Sequence, residues 1–213
     1  MSTKLGIISD IHAAPQPLEE ALTIFQHEGV DIILCPGDIA GYGNNLDDCI
    51  TLLEESDCRT ILGNHDIWYL EDHLEQPDTA ASQFFRNLPL NMELQLEDKK
   101  VFMVHASPPD SIMEGIRLLD EEGMIIKQQQ SDWTIRLSDF DSDVLIVGHT
   151  HQVFAEQLGS TLVVNPGSTV FNHTCGILSL PDMQFQVFAL SHQHPVMAWN
   201  WGQFFANNKE NTD

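Results

Sequence analysis

The chain has 213 residues, of which 42% are hydrophobic and 8% aromatic. A chain of this length should bury roughly 70% of the surface its unfolded form exposes, so it needs no disulfide or metal staple merely to fold. Nine Lys and Arg stand against 32 Asp and Glu, a net charge of −23, which repels phosphate backbones and argues against long nucleic acid as a partner.

Residues 1–5 lead directly into a strand pattern with no apolar leader, as expected of a cytoplasmic chain. Residues 4–10 read as a short apolar strand. Residues 15–28 repeat apolar side chains at Leu18, Ala21, Leu22 and Phe25, a helical spacing with Pro15 at its start. Residues 31–36 form a second apolar run. Residues 45–56 read as a second helix with Cys49, Leu52 and Leu53 on one face, and residues 59–62 as a third strand. This βαβαβ order predicts a parallel sheet with helices packed on it. Helices are expected around 79–87 and 114–130, with strands near 93–97 and 100–105. The second half is richer in strands, at 143–148, 153–158, 161–165, 176–180 and 184–190, separated by turns such as Gly159-Ser160 and Pro166-Gly167.

The simplest assembly is α/β, two packed sheets with helices outside. No repeat or Gly/Ser/Pro-rich linker divides the chain, so residues 1–213 are read as one domain with a C-terminal tail from about 191. That tail carries Met197, Trp199, Trp201, Phe204 and Phe205, and the four aromatics are expected to dock it on the body; a homo-oligomer contact is the sharper alternative. The longest wholly aliphatic runs, such as 144–147, fall far short of the about 20 apolar residues of a membrane span, so no membrane partner is expected. Cys35, Cys49, Cys58 and Cys175 form no CxxC pair and read as buried thiols of a reducing compartment.

Chemistry-bearing residues cluster where expected strands end: Asp10-Ile11-His12, Gly37-Asp38, Gly63-Asn64-His65-Asp66, His105-Ala106-Ser107 and Gly148-His149-Thr150-His151. In α/β sheets the loops beyond the carboxyl ends of strands converge, so residues distant in sequence can share one site. Asp10 and His12, like His149 and His151, are two apart, and alternation along a strand would point each pair one way. Two carboxylates, an Asn amide and four imidazoles suit Mn, Fe or Zn better than Ca or Mg, which prefer oxygen alone. A bridging carboxylate would hold two ions about 3.5–4 Å apart, as in two-metal hydrolytic sites. Trp68 and Tyr69 follow closely, and either wall the pocket, stacking on a nucleoside or aryl group, or pack beneath the loop.

From Lys4 to about Ser168 these segments resemble the calcineurin-like metallophosphoesterase superfamily. Residues 37–43, His105-Ala106-Ser107-Pro108 and Asn165-Pro166-Gly167-Ser168 are similar to its small bacterial and archaeal phosphodiesterase-like branch. The resemblance implies a four-layer αββα sandwich and two divalent transition-metal ions. Carried over, Asp10, His12 and His151 would bind one metal, Asn64, His105 and His149 the other, and Asp38 would bridge. Asp38 and Asn64 would thus be catalytic together with His65, which would stand beside the substrate phosphate to donate a hydrogen bond or protonate the leaving oxygen. The implied activity is hydrolysis of phosphodiesters or small phosphorylated metabolites, including nucleotides, by a metal-bridging hydroxide. The protein phosphatase branch carries Asp-Arg-Gly where this chain has Gly41-Tyr42-Gly43. With that Arg missing, backbone amides, Tyr42, Asn44 and His173 are the candidates for holding the substrate, and the group that orients His65 is left open. A non-catalytic interaction module on the same fold and a protein phosphatase are the competing readings.

Overall fold

Alternation along the strands sets the layering in the computed structural model, which describes residues 2–74 and 78–202. Strands β1 (Thr3–Ile7), β2 (Ile32–Cys35) and β3 (Arg59–Thr60) alternate with helices α1 (Pro15–Glu28) and α2 (Leu46–Glu55). Then come α3 (Asn64–Asp72), α4 (Ala80–Arg86), β4 (Asn91–Leu96), β5 (Lys99–Val104) and α5 (Lys127–Arg136). The chain continues through β6 (Val144–Ile146), β7 (Val153–Leu158), β8 (Thr161–Pro166), β9 (Thr174–Leu180) and β10 (Gln184–Ala189). These strands make two five-stranded sheets, ordered β10-β9-β1-β2-β3 and β4-β5-β6-β8-β7. Both are mixed: β1, β2 and β3 run parallel, while β9 pairs antiparallel to β1 and β10.

Leu5, Ile7 and Leu34 of the first sheet meet Met103, Val144, Ile146 and Val164 of the second in one buried layer. The alternate positions face outward. Ile8 and Cys35 pack with Leu18, Phe25 and Leu53 of α1 and α2, and Leu145 and Val147 pack with Trp133 of α5. The result is the αββα sandwich. α1 starts with Pro in its first turn and ends on Gly29 in the left-handed region, φ +67°, a common helix stop. Among the described residues no helix is long and apolar enough to cross a membrane.

Two elements differ from the sequence reading. The helix expected over 114–130 is irregular chain, and α5 begins only at Lys127. Asp120 Oδ1 accepts from the N–H groups of Glu122 and Met124, folding the segment back so that Leu119 bridges Ile125. The Leu118 and Leu119 N–H groups both go to Gln152 Oε1. Side chains thus satisfy the backbone where a helix would have done so itself. Conversely, the Gly63-Asn64-His65-Asp66 segment, expected to begin a loop, instead opens a helix, α3. Phe204 and Phe205 lie outside the described residues.

Gly6 faces α1, and a Cβ there would sit 2.7 Å from the fully buried Phe25 ring. Gly6→Ala should therefore lower stability by about 1–3 kcal/mol through overpacking. The measurement is the urea unfolding midpoint at unchanged slope; a midpoint equal to that of the parent would show that α1 can back away at no cost.

Candidate metal centre

The loops beyond β1 and β2 stay bonded to each other after the strands end. The N–H groups of Asp10, His12 and Ala13 donate to the carbonyls of Gly37, Asp38 and Ile39. Gly148 N–H donates to His105 O, tying the β6 loop to the end of β5. Asp10, His12, Asp38, His149 and His151 all have positive φ, between +49° and +63°. Such values cost a non-glycine residue about 1–3 kcal/mol and persist only where surrounding structure enforces them. They also correct one inference. Asp10 and His12 converge because both lie in left-handed turns past the strand, so strand alternation is not the cause.

One carboxylate does much of the enforcing. Asp66 Oδ1 accepts from the N–H groups of Ile39 and Ala40, and Oδ2 from those of Asp38 and Gly63, at 2.8–2.9 Å. It sits in the first turn of α3, three residues past the Gly63 N-cap. Burial, helped by the Asp38 charge, pushes its carboxyl up to about 7 against the pull of the N–H donors. Gly63 has no room for a side chain, because a Cβ would run into the Asp38 carboxylate; one at Gly148 would run into Ser9 and Asp10.

Into this frame the structure brings all the expected ligand side chains. Asp10, His12 and His151 form one group; His12, Asp38 and His65 a second; Asp38, His105 and His149 a third. Within each, the ligand atoms lie within 4.8 Å of one another. Asn64 Oδ1 stands 2.9 Å from His149 Nδ1 and 3.1 Å from His105 Nε2. Apart from His65 and His149, which are half-buried, all are buried.

Donor arithmetic tests whether a cation fits. His105 Nδ1 lies 2.7 Å from Pro36 O, and a carbonyl only accepts, so that nitrogen carries the proton. Nε2 of the neutral ring then turns a lone pair toward Asn64 Oδ1 and, at 3.4 Å, Asp38 Oδ2. Three acceptors face one another unless something positive enters. Burial alone would lower the His105 pKa, but the adjacent Asp38 raises it to about 9. A proton or a metal ion answers the same demand. His12 repeats the pattern: Nδ1 faces Ala40 O, and Nε2 faces His151 Nε2 at 3.2 Å. That His151 nitrogen is also 3.2 Å from Asp10 Oδ1. Burial drives His12 and His149 down to about 4, so both present neutral imidazoles. For Asp10, burial pushes the carboxyl up, but His151 and the other histidines outweigh it and hold it well below the usual range. The residues present fit a metal, and the mixed nitrogen and oxygen donors without sulfur suit a transition ion.

The groups expected to hold substrate divide. Tyr42 packs its ring 4.9 Å from that of His12 and 5.0 Å from that of His65. Asn44 is exposed and lines a depression of about 310 Å³ at the start of α2, with Tyr69. His173 lies outside the ring cluster, and its carbonyl accepts from Leu190 N–H. Trp68 meets His65 at 4.8 Å, whereas Tyr69 turns away to stack on His73 and pack on Phe85. Among the described residues, no carboxylate holds the His65 ring; Tyr42, Trp68 and His12 confine it. Its backbone N–H donates to Asp38 Oδ1 at 2.8 Å.

Several supporting groups were not assigned roles from sequence. Ser9 Oγ donates to Asp10 Oδ2, Ser168 Oγ to Asp10 O, and Asn172 Nδ2 to His151 O. Asn165 Nδ2 donates to Gly148 O and Thr150 Oγ1. The Asn165–Ser168 motif marked this turn, but polar residues in a turn carry no signal of what they hold. Asp66 did leave a trace, an acidic residue three positions after a helix-starting Gly.

The family model described as the calcineurin-like phosphoesterase superfamily domain matches residues 3–180. A phosphodiesterase of Methanocaldococcus jannaschii is 26% identical over 193 residues, spanning 83% of this chain and 87% of its own. An uncharacterized protein of the same organism is 26% identical over 189 residues, 78% of this chain and 70% of its own. A solved metallophosphoesterase from Sphaerobacter thermophilus shares the fold, with a TM-score of 0.63 at 23% identity, covering 99% of this chain and 94% of that one.

Asp66→Asn would turn an amide NH₂ toward backbone donors. The expected loss is about 2–4 kcal/mol, the cost of leaving one or two buried donors unmet, read by urea denaturation of the metal-free protein. A loss below about 0.5 kcal/mol, within the range of an ordinary surface substitution, would show that the loops hold themselves.

Proposed function

The chain belongs to the calcineurin-like phosphoesterase superfamily, and on that premise we propose that it hydrolyses phosphodiesters or small phosphorylated metabolites, nucleotides included, with two divalent transition-metal ions. Asp10, His12 and His151 would hold one ion, Asn64, His105 and His149 the other, with Asp38 between them. The observation that carries this reading is the His105 corner, where Nε2 of the neutral ring, a carboxylate and an amide oxygen converge and require a positive charge between them, a proton in the metal-free chain or a metal ion in its place. When bound, such ions neutralise the phosphoryl oxygens and lower the pKa of a water molecule enough for attack near neutral pH.

The chain's own groups prepare that chemistry. Pro36 O and Ala40 O fix the tautomers of His105 and His12, leaving each Nε2 as an inward lone pair. The His65 N–H pins Asp38 Oδ1, which restrains rotation of the shared carboxylate. Burial lowers the pKa of His65, so the free site presents a neutral ring that donates from one nitrogen to a substrate oxygen. The small bacterial and archaeal branch is supported by the phosphodiesterase relative, and the Gly41-Tyr42-Gly43 segment lacks the arginine of protein phosphatases.

The direct test incubates the purified chain with Mn²⁺ and bis(p-nitrophenyl) phosphate. Turnover with bound metal is expected; no turnover with Mn²⁺, Zn²⁺, Fe²⁺ or Ni²⁺, and no metal by elemental analysis, would leave the interaction-module reading standing. Asp38→Asn should lose activity and at least one ion per chain; full metal content with full rate would contradict the bridging role. His65→Ala should keep its metals yet turn over roughly 10²–10⁴-fold more slowly if the ring protonates the leaving oxygen. That deficit should shrink as the leaving group improves, and a constant deficit across a leaving-group series would remove His65 from the role.

A further inference from the structure

Tyr42, Trp68 and Trp201 belong to none of the candidate ligand groups, yet their rings border them. Trp68 lies 4.8 Å and Tyr42 5.0 Å from the His65 ring. Trp201 lies 5.0 Å from His151 and 5.8 Å from Tyr42. Tyr42 and Trp68 keep 51% and 41% of their surface exposed. Resting on the phosphoesterase reading above, we propose that this aromatic rim is a stacking subsite for a nucleobase, and that the substrates are phosphoesters of nucleosides.

The rim is built in place. Trp68 stands one helical turn from Asn64 and His65 on α3, so the element that places those groups also places it. α3 carries two neighbouring aromatics and uses them differently. Tyr69 goes inward onto Phe85, and Trp68 is left beside the reactive imidazole. The Tyr42 loop is held by a bond from Gly43 N–H to His12 O. A side chain at Gly41 would strike the His12 ring, so this loop lies against the centre.

Charge points the same way. Among the described residues, the ion-pair partners of Asp10 and Asp38 are His151 and His105, not Lys or Arg. On a chain of net charge −23, a substrate gains little from side-chain cations beyond the metal ions. Stacking needs no charge, and one base on aromatic side chains raises affinity by roughly ten- to a hundredfold.

The experiment uses the full chain loaded with Mn²⁺ and two probes, adenosine 5′-monophosphate and ribose 5-phosphate. They share ribose and phosphate and differ by the base. Titration calorimetry should show the nucleotide binding about tenfold or more tightly. Trp68→Leu and Tyr42→Leu should each bring the ratio of the two affinities toward one. Hydrolysis of diesters with equal affinity for both probes would overturn the subsite alone. A ratio that survives both substitutions would also overturn it, placing the base elsewhere. A chain that hydrolyses no phosphoester and binds neither probe would overturn the subsite together with the function it rests on.

Discussion

Four backbone N–H groups from two separate loops end on the carboxylate of Asp66, and the candidate centre depends on that convergence. The β2 loop supplies three of the donors and the start of α3 the fourth. Without a common acceptor, these segments would leave buried donors unmet, each costing about 1–3 kcal/mol. With it, Asp38 is held at φ +57°, a conformation its neighbours would not choose for it. The side chain of Asp38 then reaches His105, while its other oxygen takes the His65 N–H. Asp66 touches no candidate ligand through its own side chain except by way of backbone, yet it fixes the loop from which the shared carboxylate projects.

The same arrangement explains why the centre calls for cations. Asp10, Asp38 and Asp66 are all buried, and carboxylates removed from water at close range repel one another. Asp66 answers with N–H donors; Asp10 and Asp38 answer with imidazoles. His105 and His12 are held by backbone carbonyls on Nδ1, so in the neutral rings Nε2 offers a lone pair; Nδ1 of His151, whose Nε2 faces Asp10, has no hydrogen-bond partner among the described residues. Protonating His105 relieves one corner only. Dications would relieve several at once, which is why these side chains are candidates for a metal site.

Much of this was legible beforehand, and the division follows from what local sequence encodes. The bounds 15–28 of α1 came from its helical apolar spacing with Pro near the start, and 153–158 of β7 from β-prone residues bounded by turns. Ligand identities came from residue type at strand ends. The left-handed turns at Asp10, His12, His149 and His151 did not, since nothing in an Asp or His announces positive φ; the loops impose it through bonds to residues far along the chain. The expected helix over 114–130 failed for the complementary reason. Its backbone donors are taken by Asp120 and Gln152, the second being far off in sequence. α3 was hidden because its start is rich in site residues and poor in apolar ones.

A strongly negative chain handling a negative substrate looks self-defeating until the distances are considered. Exposed charges farther apart than about 8 Å are largely screened at physiological salt, while charges in a buried cleft are not. The acidic excess sits mostly on the surface, on runs such as Asp47-Asp48 and Glu121-Glu122, where water and salt absorb it. Inside the cleft the count is local: two carboxylates against the charge of whatever ions they hold. The surface charge would disfavour polyanions too long to fit within the cleft, because they would have to lie along the acidic exterior. A single phosphate carrying a flat ring avoids that field. On the proposed reading its anion would meet the bound ions and its ring the uncharged side chains of Tyr42 and Trp68 beside His65.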